Sequence, residues 1–281
     1  MPQFIIKEDL CRKDGICGLV CPSKVITALP GELPTMAADT ESRCIGCGQC
    51  VAFCPSGAAS LVPHEPNEDE NWGKSSAFDA ASLPSEDAVA ALLQSRRSIR
   101  TYKDTPVPQE TLEKLMQSVR FAPTATNAQR VRWVLLHERS SLVKLGDRLS
   151  TAMAEAARFN PDDPFVSKYR TLVRSWMDGN DPYFRGAPHL LGAIVPDFSN
   201  WRWGTEDGSI ALTYVEIMAH SMGIGACWAG YLTAFANVYN PLRELLGLET
   251  GEQLAGAQML GYPSLKTQSL PYRPLSKIDW R

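Results

Sequence analysis

Seven of the eight cysteines fall between Cys11 and Cys54, at spacings that can hold several metal ions at once. The run at 44–55, CIGCGQCVAFCP, is a complete C-x2-C-x2-C-x3-C-P, and the run at 11–22, CRKDGICGLVCP, overlays it at a constant offset of 33 residues. Cys11 falls on Cys44, Cys17 on Cys50, Cys21 on Cys54 and Pro22 on Pro55, while Asp14 stands in the place of Cys47. No cysteine has been deleted; one position has changed from thiolate to carboxylate. Three thiolates on a tight loop can grip three irons of a cuboidal cluster, and a fourth, followed by proline, reaches a neighbouring cluster. Small residues such as Gly46 and Gly48 let backbone N–H groups approach the sulfurs. Zinc is the competing reading, since cysteine pairs also hold that ion. Zinc sites want two pairs separated by a finger or ribbon, whereas here there are two triplets, each followed by Cys-Pro.

Over about the first 63 positions these residues resemble a bacterial two-cluster ferredoxin. The resemblance implies that one cluster takes Cys44, Cys47, Cys50 and Cys21, and the other takes Cys11, Cys17, Cys54 and either Asp14 or no fourth ligand. A carboxylate is a harder ligand than a thiolate and holds iron less tightly in a sulfide-rich cluster, which would make that corner labile. The alternative is that Asp14 is a solvated loop residue beside a three-iron cluster. The short apolar runs QFII, KVITAL and AASLVP around the motifs read as small strands.

A second concentration of chemistry begins at RRSIR, where Arg96, Arg97, Ser98 and Arg100 crowd into five residues. Guanidinium forks and a hydroxyl at this density suit a terminal phosphate, although a solvated basic helix end explains the same residues. Downstream come APTATNAQ at 122–129, GIGACWAGYL at 223–232, LGYP at 260–263 and PYRPL at 271–275. In this order they resemble the nitroreductase family of FMN-dependent reductases, over roughly residues 88–278. The whole chain is therefore similar to a ferredoxin-nitroreductase fusion.

The resemblance implies that Arg96, Arg97 and Ser98 bind the FMN phosphate and ribityl chain, with Arg273 as a second phosphate ligand. It puts Arg100 near flavin N1 and O2, where a cation stabilises the anionic reduced flavin. Pro123, Thr124, Ala125, Asn127 and Gln129 match a loop that reaches the flavin from a partner subunit, which implies a homodimer. Trp228, Ala229 and Gly230 match the segment whose backbone N–H faces flavin N5. Two positions depart from the family pattern: Arg130 stands where proline is common, and Pro271 replaces a frequent basic residue beside Arg273.

These residues need elements to hold them. Ser85 is a natural N-cap for a helix running to the basic turn, and a second helix from about Gln109 puts Leu112, Leu115, Met116 and Val119 on one face. VRWVLL and LLGAIV read as buried strands, and GSIALTYVEIMAHSMG as a helix apolar on more than one side, a candidate for the dimer interface. The expected fold class is α+β, a small ferredoxin-like domain at 1–63 followed by a layered nitroreductase-like domain at 85–281. Residues 64–84, polar and rich in breakers, read as a linker whose acidic run Glu65 to Glu70 is a solvated stretch and whose Trp72 could anchor it. Within 160–186, Phe165, Tyr169, Trp176 and Tyr183 are candidates for a substrate pocket, with ordinary core packing as the alternative.

A net charge of −3, from 28 basic and 31 acidic residues, gives no global footprint for nucleic acid or an anionic membrane. No run approaches a membrane span and no leader is recognisable, so the expected setting is cytoplasmic. GIGACWAG is not a dinucleotide fingerprint, because its glycine spacing is wrong. Cys227 reads as a small buried hydrophobe, and the four histidines show no ligand spacing. The leading function is an oxidoreductase passing electrons from a low-potential donor, a ferredoxin or NAD(P)H, through two clusters to FMN. A small organic acceptor, a nitro compound, quinone or activated double bond, would then take them. A non-catalytic relay module and an FMN-dependent dehydrogenase acting oxidatively stand as alternatives.

Overall fold

A computed structural model describes residues 2–63, 76, 78–162 and 164–281. Most of the acidic connector, including Trp72 and Glu65 to Glu70, lies outside the described residues. The chain divides into two compact units, Met1–Leu83 with Ala125–Ala128, and Pro84–Thr124 with Gln129–Arg281.

The first unit repeats one small motif. Strand β1 (Pro2–Ile6) leads to helix α1 (Ile16–Val20), then to the short antiparallel pair β2 (Ile26–Thr27) and β3 (Thr35–Met36). A 3-10 turn at Ala38–Arg43 leads to α2 (Gln49–Ala52) and β4 (Ala59–Pro63), which returns antiparallel to β1 with Phe4 opposite Leu61. Both helices start behind a left-handed glycine, Gly15 at φ 77° and Gly48 at φ 71°, separated by the 33 residues of the sequence repeat. A β-carbon is strained in that conformation, so glycine lets each cysteine loop turn sharply into its helix. Cys17, Cys21, Cys50, Val25, Ile26 and Leu61 form the buried centre.

The second unit is α+β around an antiparallel sheet. Helix α3 (Glu86–Ser95) is capped by Ser85, whose hydroxyl accepts from Ala88 N–H at 3.2 Å, and α4 (Gln109–Val119) buries Leu112, Leu115 and Val119 as the periodicity requires. After β5 (Arg132–Leu136) come α5 (Arg139–Phe159), α6 (Val166–Met177), β6 (His189–Pro196) and α7 (Gly204–Ser221). The chain closes with β7 (Gly225–Trp228), α8 (Gly230–Ala236), α9 (Asn240–Leu246) and β8 (Glu252–Gly261). The strand order is β5-β6-β8-β7, every neighbour antiparallel.

Each face of this sheet carries its own core. Leu190 and Ile194 of β6 pack with Leu142, Leu145, Leu149 and Met153 of α5, whereas Leu191 points to Leu115 of α4 and Val215 of α7. Strand β8 keeps its alternation in phase by a bulge: Ile194 pairs with Leu254 but Ala193 with Gly256, leaving Ala255 as the extra residue. Such an insertion re-aims the residues beyond it, here sending Ala257 and Met259 to the same face as Leu254.

Candidate functional site

In the first unit Cys21, Cys44, Cys47 and Cys50 line one cavity whose other walls are mainly apolar, among them Phe4, Ile26, Met36 and Leu61, with Ser23 and Gln49 as the polar members. The connection from α1 to β2 supplies Cys21 and the second loop the other three, so thiols from both copies of the repeat meet. Among the described residues no three His, Cys, Asp or Glu side chains converge as they would on a single ion. Four soft sulfur donors around a mainly apolar cavity suit a cuboidal cluster, in which each thiolate takes its own iron.

Burial pushes the metal-free Cys50 thiol up to about 12, with Cys44, Cys47 and Cys21 close enough to add to the effect. Burial also raises Cys17, to which neighbouring Cys11 and Asp14 contribute. Burial alone would raise Cys54 as well, but hydrogen bonds from the Ala59 backbone and the Ser56 hydroxyl outweigh it and hold that thiol below its ordinary value. Asp14 turns one carboxylate oxygen back on its own loop, accepting from Ile16 N–H at 3.0 Å at the start of α1. Also within this unit, Asn127 Nδ2 donates to the Ile45 carbonyl, in the loop between Cys44 and Cys47, at 3.1 Å. Thr126 and Asn127 there, at φ 50° and 56°, are left-handed without being glycine.

The second unit holds a cavity of about 450 Å3. Arg100, Cys227, Trp228, Ala229 and Gly230 line it together with an aromatic wall of Phe165, Tyr169, Tyr183 and Tyr231. The basic turn is fastened to the sheet edge, where Ser98 bridges Ala226 and Ile99 N–H donates to the Ala226 carbonyl at 2.9 Å. Gly225 makes this closeness possible, because a β-carbon there would stand 2.7 Å from Ile99 Cβ. Gly225→Ala is therefore expected to destabilise the unit by about 1–3 kcal/mol, as overpacked sites do, and to displace the basic turn. Urea denaturation checks this, and a midpoint within error of wild type would contradict the close packing.

The Arg96 guanidinium is held by Glu216 of α7 at 2.6 Å, with only 11% of the glutamate side chain exposed. Beside it Ser95 Oγ lies 2.8 Å from His220 Nε2, and burial, followed by the charges of Arg96 and Arg97, lowers the pKa of that imidazole. Arg97 folds back on the carbonyls of Gln94 and Arg96. Ala229 N–H is occupied by the Ala257 carbonyl at 2.8 Å, and among the described residues none accepts from Gly230 N–H. Pro123, Thr124, Ala125, Asn127 and Gln129 do not line the cavity. Arg273 lies in the exposed tail beyond β8, without a hydrogen bond to any described residue.

Of the four aromatic candidates, Phe165, Tyr169 and Tyr183 line the cavity. Trp176 does not: its ring covers Gly146 of α5, and its Nε1 donates to Asp147 at 2.9 Å, so it belongs to helix packing. Arg130 stacks its guanidinium 4.8 Å from the centre of the Trp201 ring, a use that proline could not serve. Sequence reasoning missed Glu216 and Arg185. A lone carboxylate in the apolar run TYVEIMAH was the available signal for the first. For Arg185 it was an arginine set directly before glycine in YFRGAP.

A family model described as Nitroreductase family matches residues 93–262. The chain belongs to the nitroreductase family. A 4Fe-4S binding domain model matches residues 39–60, amino-terminal to it, so this nitroreductase carries a ferredoxin motif ahead of its flavin domain and zinc is set aside. It is similar to an FMN reductase (NAD(P)H) of Bacillus subtilis, 34% identical with 68% of this chain and 72% of that protein covered. It is also similar to a 4-nitrobenzoate reductase of Pseudomonas putida, 24% identical over 63% of this chain and 86% of that one. In fold it is similar to a Bacteroides fragilis nitroreductase with bound FMN, at a TM-score of 0.57 and 21% identity, covering 68% of this chain and 98% of the other. This nitroreductase is an FMN-dependent oxidoreductase with an iron-sulfur centre. None of its described helices is long and apolar enough to cross a membrane.

Proposed function

We propose that the protein takes electrons singly from a low-potential donor at its cysteine-rich end and delivers them in pairs to a small organic acceptor in the cavity beside Arg100. The observation that carries this reading is the cavity itself, where a cation, the 228–230 backbone and an aromatic wall meet. Bound FMN supplies the exchange between one-electron and two-electron chemistry.

The residues divide the work. Arg96, Arg97, Ser98 and Arg273 hold the phosphate end, with Glu216 fixing the direction of Arg96. Arg100 would serve the pyrimidine edge of bound FMN, and Trp228, Ala229 and Gly230 would line its ring, with the Gly230 N–H as a candidate donor to N5. Pro123, Thr124, Ala125, Asn127 and Gln129 complete the site of a partner copy in a homodimer. Exposed Ile210 and Tyr214 of α7, with Leu275 and Trp280 of the tail, supply apolar surface for that interface. At the other end, Cys21, Cys44, Cys47 and Cys50 hold one four-iron cluster. Cys11, Cys17 and Cys54 hold a second, with Asp14 at or near its fourth corner. The domain limits follow the motifs, 1–63 and 85–281 with 64–84 between them.

The acceptor classes are nitro compounds, quinones and activated double bonds, and the relative named for 4-nitrobenzoate supports the first of these. The relative named for NAD(P)H supports a nicotinamide donor beside a ferredoxin-type one. Anaerobic mixing of the full protein with reduced ferredoxin, NADH or NADPH tests the order of events. With the ferredoxin donor, iron-sulfur absorbance is expected to bleach before flavin absorbance, and 4-nitrobenzoate or a quinone to restore both over repeated turnovers. Flavin bleaching ahead of the clusters would overturn the relay, and a single stoichiometric reoxidation without turnover would overturn the acceptor reading.

A further inference from the structure

Arg185 is the feature of the cavity that flavin binding, as set out above, does not use. It lines the cavity together with Tyr183 and Tyr169, yet among the described residues its guanidinium has neither a hydrogen bond nor an ion pair. Its backbone is left-handed at φ 56°, a conformation that a long side chain adopts only when its surroundings impose it.

Asp181 imposes it. One carboxylate oxygen accepts from Phe184 N–H at 2.8 Å, the other from Gly186 N–H at 2.9 Å, and the Asp181 carbonyl accepts from Arg185 N–H at 3.1 Å. Arg139 of α5 then braces the turn, donating to Asp181 at 3.0 Å and to the Ala187 carbonyl at 3.2 Å. The Asp181 carboxylate is thereby committed to the backbone and to a different arginine. Arg185 is delivered to the cavity rim as an uncompensated cation, and it is close enough, with Arg100, to bear on buried Cys227.

We propose that Arg185 is a specificity-determining residue that captures the anionic substituent of an aromatic acceptor, such as a carboxylate, while Phe165, Tyr169 and Tyr183 hold the ring. The inference rests on the flavin reading above, and deepens it by naming the substrate class. A guanidinium fork matches a carboxylate in shape and charge, and flat aromatic walls match an aromatic ring. Both arginines line the cavity near Cys227, and they divide its work: Arg100 serves the cofactor edge and Arg185 the substrate.

The test is binding, independent of turnover. Calorimetry of the FMN-loaded protein with benzoate and with benzyl alcohol, a neutral ligand of similar shape, is compared between wild type, Arg185→Gln and Arg185→Lys. The expected result is benzoate binding at least about tenfold weaker in R185Q, partly recovered in R185K, with benzyl alcohol within about twofold throughout, since a lost charge-assisted contact acts on the charged ligand alone. Equal weakening of both ligands, or unchanged benzoate affinity in R185Q, would overturn the proposal. Loss of FMN from R185Q would overturn it too, by assigning Arg185 to the cofactor. A wild-type protein that binds no FMN refutes the flavin reading instead, and so the two failures are distinguishable.

Discussion

Protein carrying both Arg96→Ala and Arg273→Ala is expected to purify without flavin. Each guanidinium would supply charge-assisted hydrogen bonds to the cofactor phosphate, worth about 1.5–3 kcal/mol apiece. Together they would weaken FMN binding by roughly 10²- to 10⁴-fold. Glu216 complicates the first substitution, because its side chain is only 11% exposed and loses its partner when Arg96 is removed. Arg273→Ala alone is the control for this effect, since the tail beyond β8 is exposed and no described residue depends on it. Flavin stoichiometry by absorbance after denaturation, alongside circular dichroism for folding, gives the answer. Full FMN occupancy in a folded double variant would remove both arginines from the phosphate site.

Cys50→Ala is expected to abolish one cluster outright and, with it, electron delivery from a ferredoxin-type donor. The thiol is buried at 7% exposure among Cys21, Cys44 and Cys47, so no water or surface side chain can replace it without opening the cavity. Altering groups that only orient metal ligands commonly costs 10- to 100-fold, and loss of a ligand itself should lower donor-dependent turnover by at least about 10²-fold. Iron and sulfide analysis should show roughly half the wild-type content if the repeat builds two clusters, one per motif. Complete loss of iron would mean that a single centre, or a single cooperative unit, is present. The same measurement on Asp14→Cys examines the odd corner. Paramagnetic resonance before and after mild oxidation should show a three-iron signal in wild type and none in the variant. Identical spectra would leave Asp14 as the turn-closing residue that its bond to Ile16 already makes it.

Much of this protein was legible because its signals are local. The 33-residue repeat places each cysteine by counting, and the two left-handed glycines that start α1 and α2 obey the same offset. Ser85 and the apolar spacing of α4 mark their helices within a few residues, since capping and periodicity act over one or two turns. The ordered motifs from RRSIR to PYRPL were enough to suggest the family.

What stayed hidden depends on groups far apart in the chain. The partner of Arg96 is 120 residues away on α7, a helix whose apolar text concealed one carboxylate. The bulge at Ala255 decides which face β8 shows to each core, and a bulge is a matter of register between strands. Trp176 and Tyr183 look alike as pocket candidates, yet the bare surface of Gly146 draws one into helix packing while the other lines the cavity. Arg185 becomes a cavity residue only because Asp181, braced by Arg139 of α5, bends the backbone beneath it. The sequence by itself determined the kinds of chemistry present, the thiolates, the clustered arginines and their order, because residue type and short spacing are covalent facts. Only the tertiary structure decided which charges are paired and which face the cavity, because that depends on the register and packing of elements distant in the chain.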